Sequence, residues 1–161
     1  MRSHDPDEPD VSRVVADADV LAADLLVGGA ARDALDVVRA HSWMTLVASE
    51  ALLDDAEAVL ADLADDALAA DWREKVAARA TLVEHPDGDH PALASAAHGD
   101  AARVLTFDES LRSAQTNATV KKYVTVSFSP PDGFARLFDP ERLYPVVVGG
   151  DYPGPDRDPR A

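Results

Sequence analysis

An α/β fold is what this chain predicts: a single domain on a central, mostly parallel sheet of about five strands, with helices on both faces. Two observations carry the expectation. Short apolar runs of strand length alternate with longer stretches of helical periodicity, and that alternation builds parallel sheets with helices packed against them. At 161 residues the chain also has the size of one domain that can bury a core without staples, and it contains no cysteine.

The elements follow in order. Val14–Ala16 reads as a short buried strand, and Val20–Leu26 and Ala31–Ala40 read as helices broken at Gly28-Gly29. Met44–Val47 is a second strand. Ser49 then caps a helix from Glu50 to about Ala64, which "DDALAADWREKVAARA" continues or restarts. "TLVEH" at Thr81–His85 is a third strand. "DHPALASAAHG" reads as a helix closed at Gly99, with Pro91 tolerated in its first turn. "RVLTF" is a fourth strand, "DESLRSA" a short helix, "YVTVSF" a fifth strand and "PPDGFARLFD" a last helix. Residues 1–12 and 149–161 are rich in Pro, Gly and Asp and predict disorder, which leaves 13–148 as the domain.

Charge narrows the setting. Thirty Asp and Glu against 15 Lys and Arg give a net charge of −15. An acidic, lysine-poor, alanine-rich chain resembles the proteins of salt-in halophilic archaea, whose self-repulsion is screened once molar salt shortens the Debye length to ~3 Å. The chain has no basic nucleic-acid footprint, no apolar run of the ~20 residues that span a bilayer, and no apolar leader in "MRSHDPDEPD". These features predict a cytoplasmic protein with no membrane partner.

Parallel sheets place ligand sites at the carboxyl ends of their strands. Asp17 and Asp108 each stand one step past a predicted strand, Asp19 follows closely, and Asp89 precedes the helix that leads into the fourth. Carboxylates converging there repel one another unless a cation lies among them. Mg²⁺ or Mn²⁺ takes oxygen ligands and can activate water against a phosphate, so metal-assisted phosphodiester hydrolysis is the leading chemistry. A further acid comes from "SEALLDDAEAVL". With Leu52, Leu53, Ala56, Val59, Leu60 and Leu63 forming one apolar stripe, Asp54 faces solvent and Asp55 sits on a flank. Geometry selects Asp55, with Glu50 and Glu57 as alternatives. The competing reading is structural: Asp89 and Asp108 are also good helix N-caps, each worth ~1 kcal/mol. Thr106 either orients the acids or is an ordinary strand residue. His85, His90 and His98 fit no zinc spacing, and Lys121-Lys122-Tyr123 is the one lysine pair able to meet a phosphate and a base.

From Arg13 to Leu137 the chain resembles a PIN domain, the nuclease fold of ribonuclease toxins and RNA-processing enzymes. "VVADADVL" is similar to the family's opening strand with its first aspartate at Asp17, and Asp19 falls where Asn is frequent. "SEALLDDAEAVL" resembles the Ser-x-x-Leu-x-x-acid helix and puts Asp55 in the acid's place, where Glu is usual. "DHPALASAAHGDAARVLTFD" resembles the Asp, helix, strand and Thr-x-Asp run at Asp89, Thr106 and Asp108, with Phe107 replacing a small or basic residue. "VTVSFSPPDGFARLF" is similar to the closing strand and helix. The resemblance implies a Mg²⁺- or Mn²⁺-dependent endoribonuclease acting on single-stranded RNA. Asp17, Asp55, Asp89 and Asp108 would be its catalytic acids, with Asp17, Asp89 and Asp108 on the metal and Asp19 and Thr106 in support. It also implies an antitoxin-type protein partner or a homodimer. The rival expectation is a PIN-like binding module whose site has decayed.

Overall fold

A computed structural model describes residues 10–83, 92, 95, 96, 99–108 and 127–158. Its centre is a five-stranded, all-parallel sheet in the order β3-β2-β1-β4-β5. The strands are β1 (Asp10–Ala16), β2 (Thr45–Ser49), β3 (Thr81–Val83), β4 (Ala101–Leu105) and β5 (Ser127–Ser129). The helices given whole among the described residues are α1 (Ala18–Leu26), α2 (Gly29–Arg39), α3 (Glu50–Leu63), α4 (Asp66–Arg79), α5 (Pro131–Leu137) and α6 (Pro140–Val147). The expected α/β class is the one observed.

Successive strand residues point to opposite faces, yet Val14, Val15 and Ala16 are all within 1% of full burial. Both faces of β1 are therefore covered, as an all-parallel sheet requires. Val47 and Ala48 of β2 and Val104 and Leu105 of β4 repeat the pattern. α3 buries Leu52, Leu53, Ala56 and Leu60 along one stripe, the stripe its spacing predicts, while Val59 and Leu63 at its margin stay exposed.

Local chemistry sets the boundaries. Gly28 has φ 82°, a left-handed conformation that L side chains rarely adopt, and it separates α1 from α2. Arg32 then donates from Nε and Nη2 to the carbonyl of Asp24 at 3.1 and 2.8 Å, satisfying the frayed end of α1. Ser49 is the N-cap of α3 as expected: its Oγ accepts from the Leu52 N–H at 3.2 Å and from Ser95 Oγ at 2.9 Å. The stretch after Ala64 restarts rather than continues, because Asp65 accepts from the Leu68 N–H at 2.7 Å and caps α4.

Several boundaries shift by one or two residues from the sequence expectation; β4 runs Ala101–Leu105 rather than through Phe107, so Asp108 stands three residues past the strand instead of one. Three further differences are larger. β1 begins at Asp10, earlier than Val14, because the Asp10 N–H donates to the Asp100 carbonyl at 2.6 Å and the strand crosses an irregularity before Val14. Its polar start hides it from an apolar search. α6 was not foreseen; its signal is Asp139 as N-cap followed by Pro140. Composition alone left 149–161 without structure, yet Tyr152 Oη lies 2.6 Å from His41 Nε2. The Asp156 and Arg157 N–H groups also donate to the Ala40 carbonyl at 3.0 and 3.1 Å. One tyrosine in a polar run supplies the buried surface that a Pro, Gly and Asp count misses. His41, Trp43, Phe138, Tyr144 and Tyr152 form a chain of ring contacts with centroids 5.4–6.2 Å apart.

Gly99 gives the sheet its closest approach. A Cβ built there would collide with Val47 Cγ1 and stand 3.0 Å from the Ser95 carbonyl. We predict that Gly99→Ala costs about 1–3 kcal/mol by urea denaturation. Combining it with Val47→Ala should cost less than the sum of the two, since the second change removes the obstacle.

Candidate functional site: carboxylates at the strand ends

The strand order reverses between β1 and β4: the chain runs outward from β1 through β2 to β3, then returns to the other side of β1. Open α/β sheets bind ligands in the crevice at such a reversal, outside the carboxyl ends of the strands. Register sets what stands there. Ala16 pairs with Leu105, so Asp17 and Thr106 are the next residues out on neighbouring strands. The Asp17 N–H donates to the Leu105 carbonyl at 2.9 Å, and the Thr106 N–H to the Ser129 carbonyl at 3.1 Å.

Side chains join the two strand ends. Asp17 is buried and caps α1, its Oδ1 accepting from the Ala18 N–H at 2.8 Å. Its Oδ2 accepts from the Thr106 hydroxyl at 2.9 Å. Thr106 Oγ1 in turn accepts from the Asp108 N–H at 3.0 Å. Asp19, in the first turn of α1, accepts from the Phe107 N–H through Oδ2 at 3.1 Å. Its other oxygen, Oδ1, is buried with no hydrogen-bond partner among the described residues. Burial lifts the Asp19 carboxyl above the usual aspartate range. The charge of Asp17 adds to the lift, the N–H groups of Phe107 and Val20 oppose it, and Asp108 contributes a smaller rise.

The expected site residues therefore divide. Asp17, Asp19, Thr106 and Asp108 are brought to one place, with Asp108 exposed. Asp89 lies outside the described residues, as do His85, His90, His98 and Lys121-Lys122-Tyr123. Asp55 is exposed on α3, and its side chain makes no hydrogen bond or ion pair among the described residues. Glu50 and Glu57, the alternatives to it, are held by Arg73 of α4. Arg73 also grips Asp54, and that hydrogen bond is the main cause that raises the arginine's pKa above its ordinary value. Among the described residues no three Asp, Glu or His side chains stand close enough to hold a metal ion.

Sequence reading missed Arg73, although Glu50, Asp54 and Glu57 at helical spacing form a stripe that asks for a cation. It also missed that Asp19 would be the desolvated acid; an aspartate followed at once by "VLAA" in a first helical turn was the available signal.

A family model described as a family of unknown function (DUF7384) matches residues 8–160. The chain belongs to that family. The DUF7384 match takes in both strand-end acids and the tail through Tyr152 and Asp156, so the tail is part of the unit the family shares. No curated protein and no solved structure matches the chain.

Two outcomes follow from the hydrogen bonds around Asp17 and Asp19. Thr106→Val keeps the strand-favouring shape but leaves the buried Asp17 Oδ2 without its donor, and is expected to cost about 1–3 kcal/mol by chemical denaturation. Thr106→Ser, which keeps the hydroxyl, should lose less. For Asp19, the folded carboxyl holds its proton more tightly than the unfolded one, so ionisation weakens the fold. The associated stability is present below the ordinary value of 3.8 and declines as pH rises through the raised folded value. Asp19→Asn is expected to flatten that acid-range slope. At neutral pH without divalent cations it should raise the melting temperature.

Proposed function

We propose that this protein is a PIN-like, metal-dependent endoribonuclease that hydrolyses phosphodiester bonds of single-stranded RNA in the cytoplasm. The observation that carries the reading is the pairing of Asp17 and Asp19 at the strand-order reversal, with Asp108 near enough to add to the rise of the Asp19 pKa and Asp19 Oδ1 buried and unpartnered among the described residues. A cation fits that observation. The donors are hard carboxylate oxygens suited to Mg²⁺ or Mn²⁺, and the raised Asp19 carboxyl reflects a charge that lacks compensation. Asp17 and Asp19 would contact the ion, and Asp108 and Asp89 would complete its shell; the described acids alone do not form a group of three that could hold it, and Asp89 lies outside the described residues. When bound, such an ion supplies Lewis-acid stabilisation of a phosphoryl oxygen and a more acidic water.

The chain's own groups do the positioning. Thr106 turns Asp17 toward the crevice by its hydroxyl and holds Asp108 by accepting from its N–H. Phe107 fixes Asp19 from the backbone while its ring stays half exposed beside the acids, where it can stack on a base. No helix among the described residues is long and apolar enough to cross a membrane. In this reading an antitoxin-type protein would control access to the strand ends.

A second reading, a PIN-like binding module with a decayed site, draws on a different observation. Glu50 and Glu57 are committed to Arg73, and Asp55 stands apart from the strand-end acids in its interactions.

Two measurements separate the readings. Labelled single-stranded RNA in molar KCl with Mn²⁺ should be cut by the native protein and left intact by Asp108→Asn. Mn²⁺ at about ten times its dissociation constant should raise the native melting temperature by about 3–6 °C, equivalent to ~1.4 kcal/mol, and raise that of Asp19→Asn far less. Absence of both effects in folded protein would select the binding module. A melting shift without cutting would remove the nuclease reading and keep the metal site.

A further inference from the structure

Two arginines of this acidic chain are gripped by carboxylates. Arg39 is gripped by Asp24 at 2.7 and 2.9 Å and by Asp36 at 2.7 Å, and Arg73 holds Glu50, Asp54 and Glu57. Arg103 is different. It stands in the middle of β4, half buried, and among the described residues it has no carboxylate partner, although acids outnumber bases 30 to 15. Its Nη1 donates to Ser129 Oγ, and its guanidinium carbon lies 5.9 Å from the centre of the Phe134 ring. Burial pushes its pKa below the usual arginine value, the direction expected for a charge removed from water without compensation.

Arg103 faces a cavity of about 620 Å³, within the ~300–1,000 Å³ range of small-molecule sites. The cavity lies along paired Val14 and Arg103 and under α5 and α6, with Met44, Phe134 and Phe138 giving apolar wall. Arg136 and Arg142 stand at its exposed margin. The one carboxylate among the described lining residues, Asp139, is engaged as the N-cap of α6, accepting from the Arg142 N–H at 3.3 Å. Three guanidinium groups against one carboxylate make a cationic chamber in a chain of net charge −15.

We propose that this cavity binds a small amphiphilic anion, an oxyanion head group seated on Arg103 with an apolar body against Met44, Phe134 and Phe138. A planar guanidinium can donate two parallel hydrogen bonds to a carboxylate or phosphate, which restores the interactions Arg103 lost on burial. The arginines at the margin attract the anion and the aromatic wall excludes water behind it. The site is separate from the strand-end acids and stands whether or not those acids cut RNA.

Calorimetric titration of the full chain in molar KCl tests the proposal with sodium octanoate, octyl phosphate, octanamide and inorganic phosphate as probes. Octanoate or octyl phosphate should bind at one per chain, and whichever binds tighter identifies the head group. Octanamide should bind at least about tenfold more weakly, as loss of a charge-assisted hydrogen bond requires, and inorganic phosphate more weakly still. Arg103→Gln should weaken the anion about tenfold or more while leaving octanamide unchanged. If circular dichroism shows that Arg103→Gln does not fold, Arg142→Gln at the exposed margin takes its place, with an expected loss of about threefold. Equal binding of octanoate and octanamide, an undiminished preference for anions in the folded variant, or no binding of either amphiphilic anion by native protein would each overturn the assignment.

Discussion

Register between β1 and β4 is the constraint on which the rest of the site depends. Ala16 opposite Leu105 brings Asp17 and Thr106 out of the sheet side by side, and the Asp17 N–H closes the ladder on the Leu105 carbonyl. A slip of one residue would turn the apolar residues of β1 to the wrong faces and part the carboxylate from its hydroxyl. Both faces of β1 are packed, so the slip is resisted by the whole core. The acids at the strand ends are thus positioned by valines and alanines several residues away.

Asp17 ties a helix start to the neighbouring strand end. One carboxylate oxygen caps α1 and the other receives the Thr106 hydroxyl. Each oxygen retains a lone pair after that bond, so capping does not exhaust the group as an acceptor. Asp19 bears the electrostatic consequence: it is desolvated, close to Asp17, and satisfied on one oxygen only. Strain of this kind in a fold is expected where a ligand restores the balance.

Much of this was legible in the residues. A mostly parallel sheet, the Gly28 break, the Ser49 cap and the apolar stripe of α3 followed from periodicity and capping chemistry. Asp17, Asp19, Thr106 and Asp108 could be grouped because strand ends are readable and parallel sheets gather them at one edge. The start of β1 was hidden because Asp10 and Ser12 are polar and are recruited by pairing with β4, a non-local event. Glu50 and Glu57 could not be set aside from a helical wheel, since the residue that occupies them, Arg73, belongs to the next helix. Arg103 was opaque for a related reason: composition counts charges but not which of them meet.

The contact between His41 and Tyr152 has a practical meaning. His41 and Ser42 precede β2, so Tyr152 and Asp156 dock at the amino ends of the strands, the side of a parallel sheet opposite Asp17 and Thr106. A fluorophore or surface linker attached close to Asp158 would therefore report on, or immobilise, the molecule from its far side. The carboxylate edge would stay open to whatever is offered in solution.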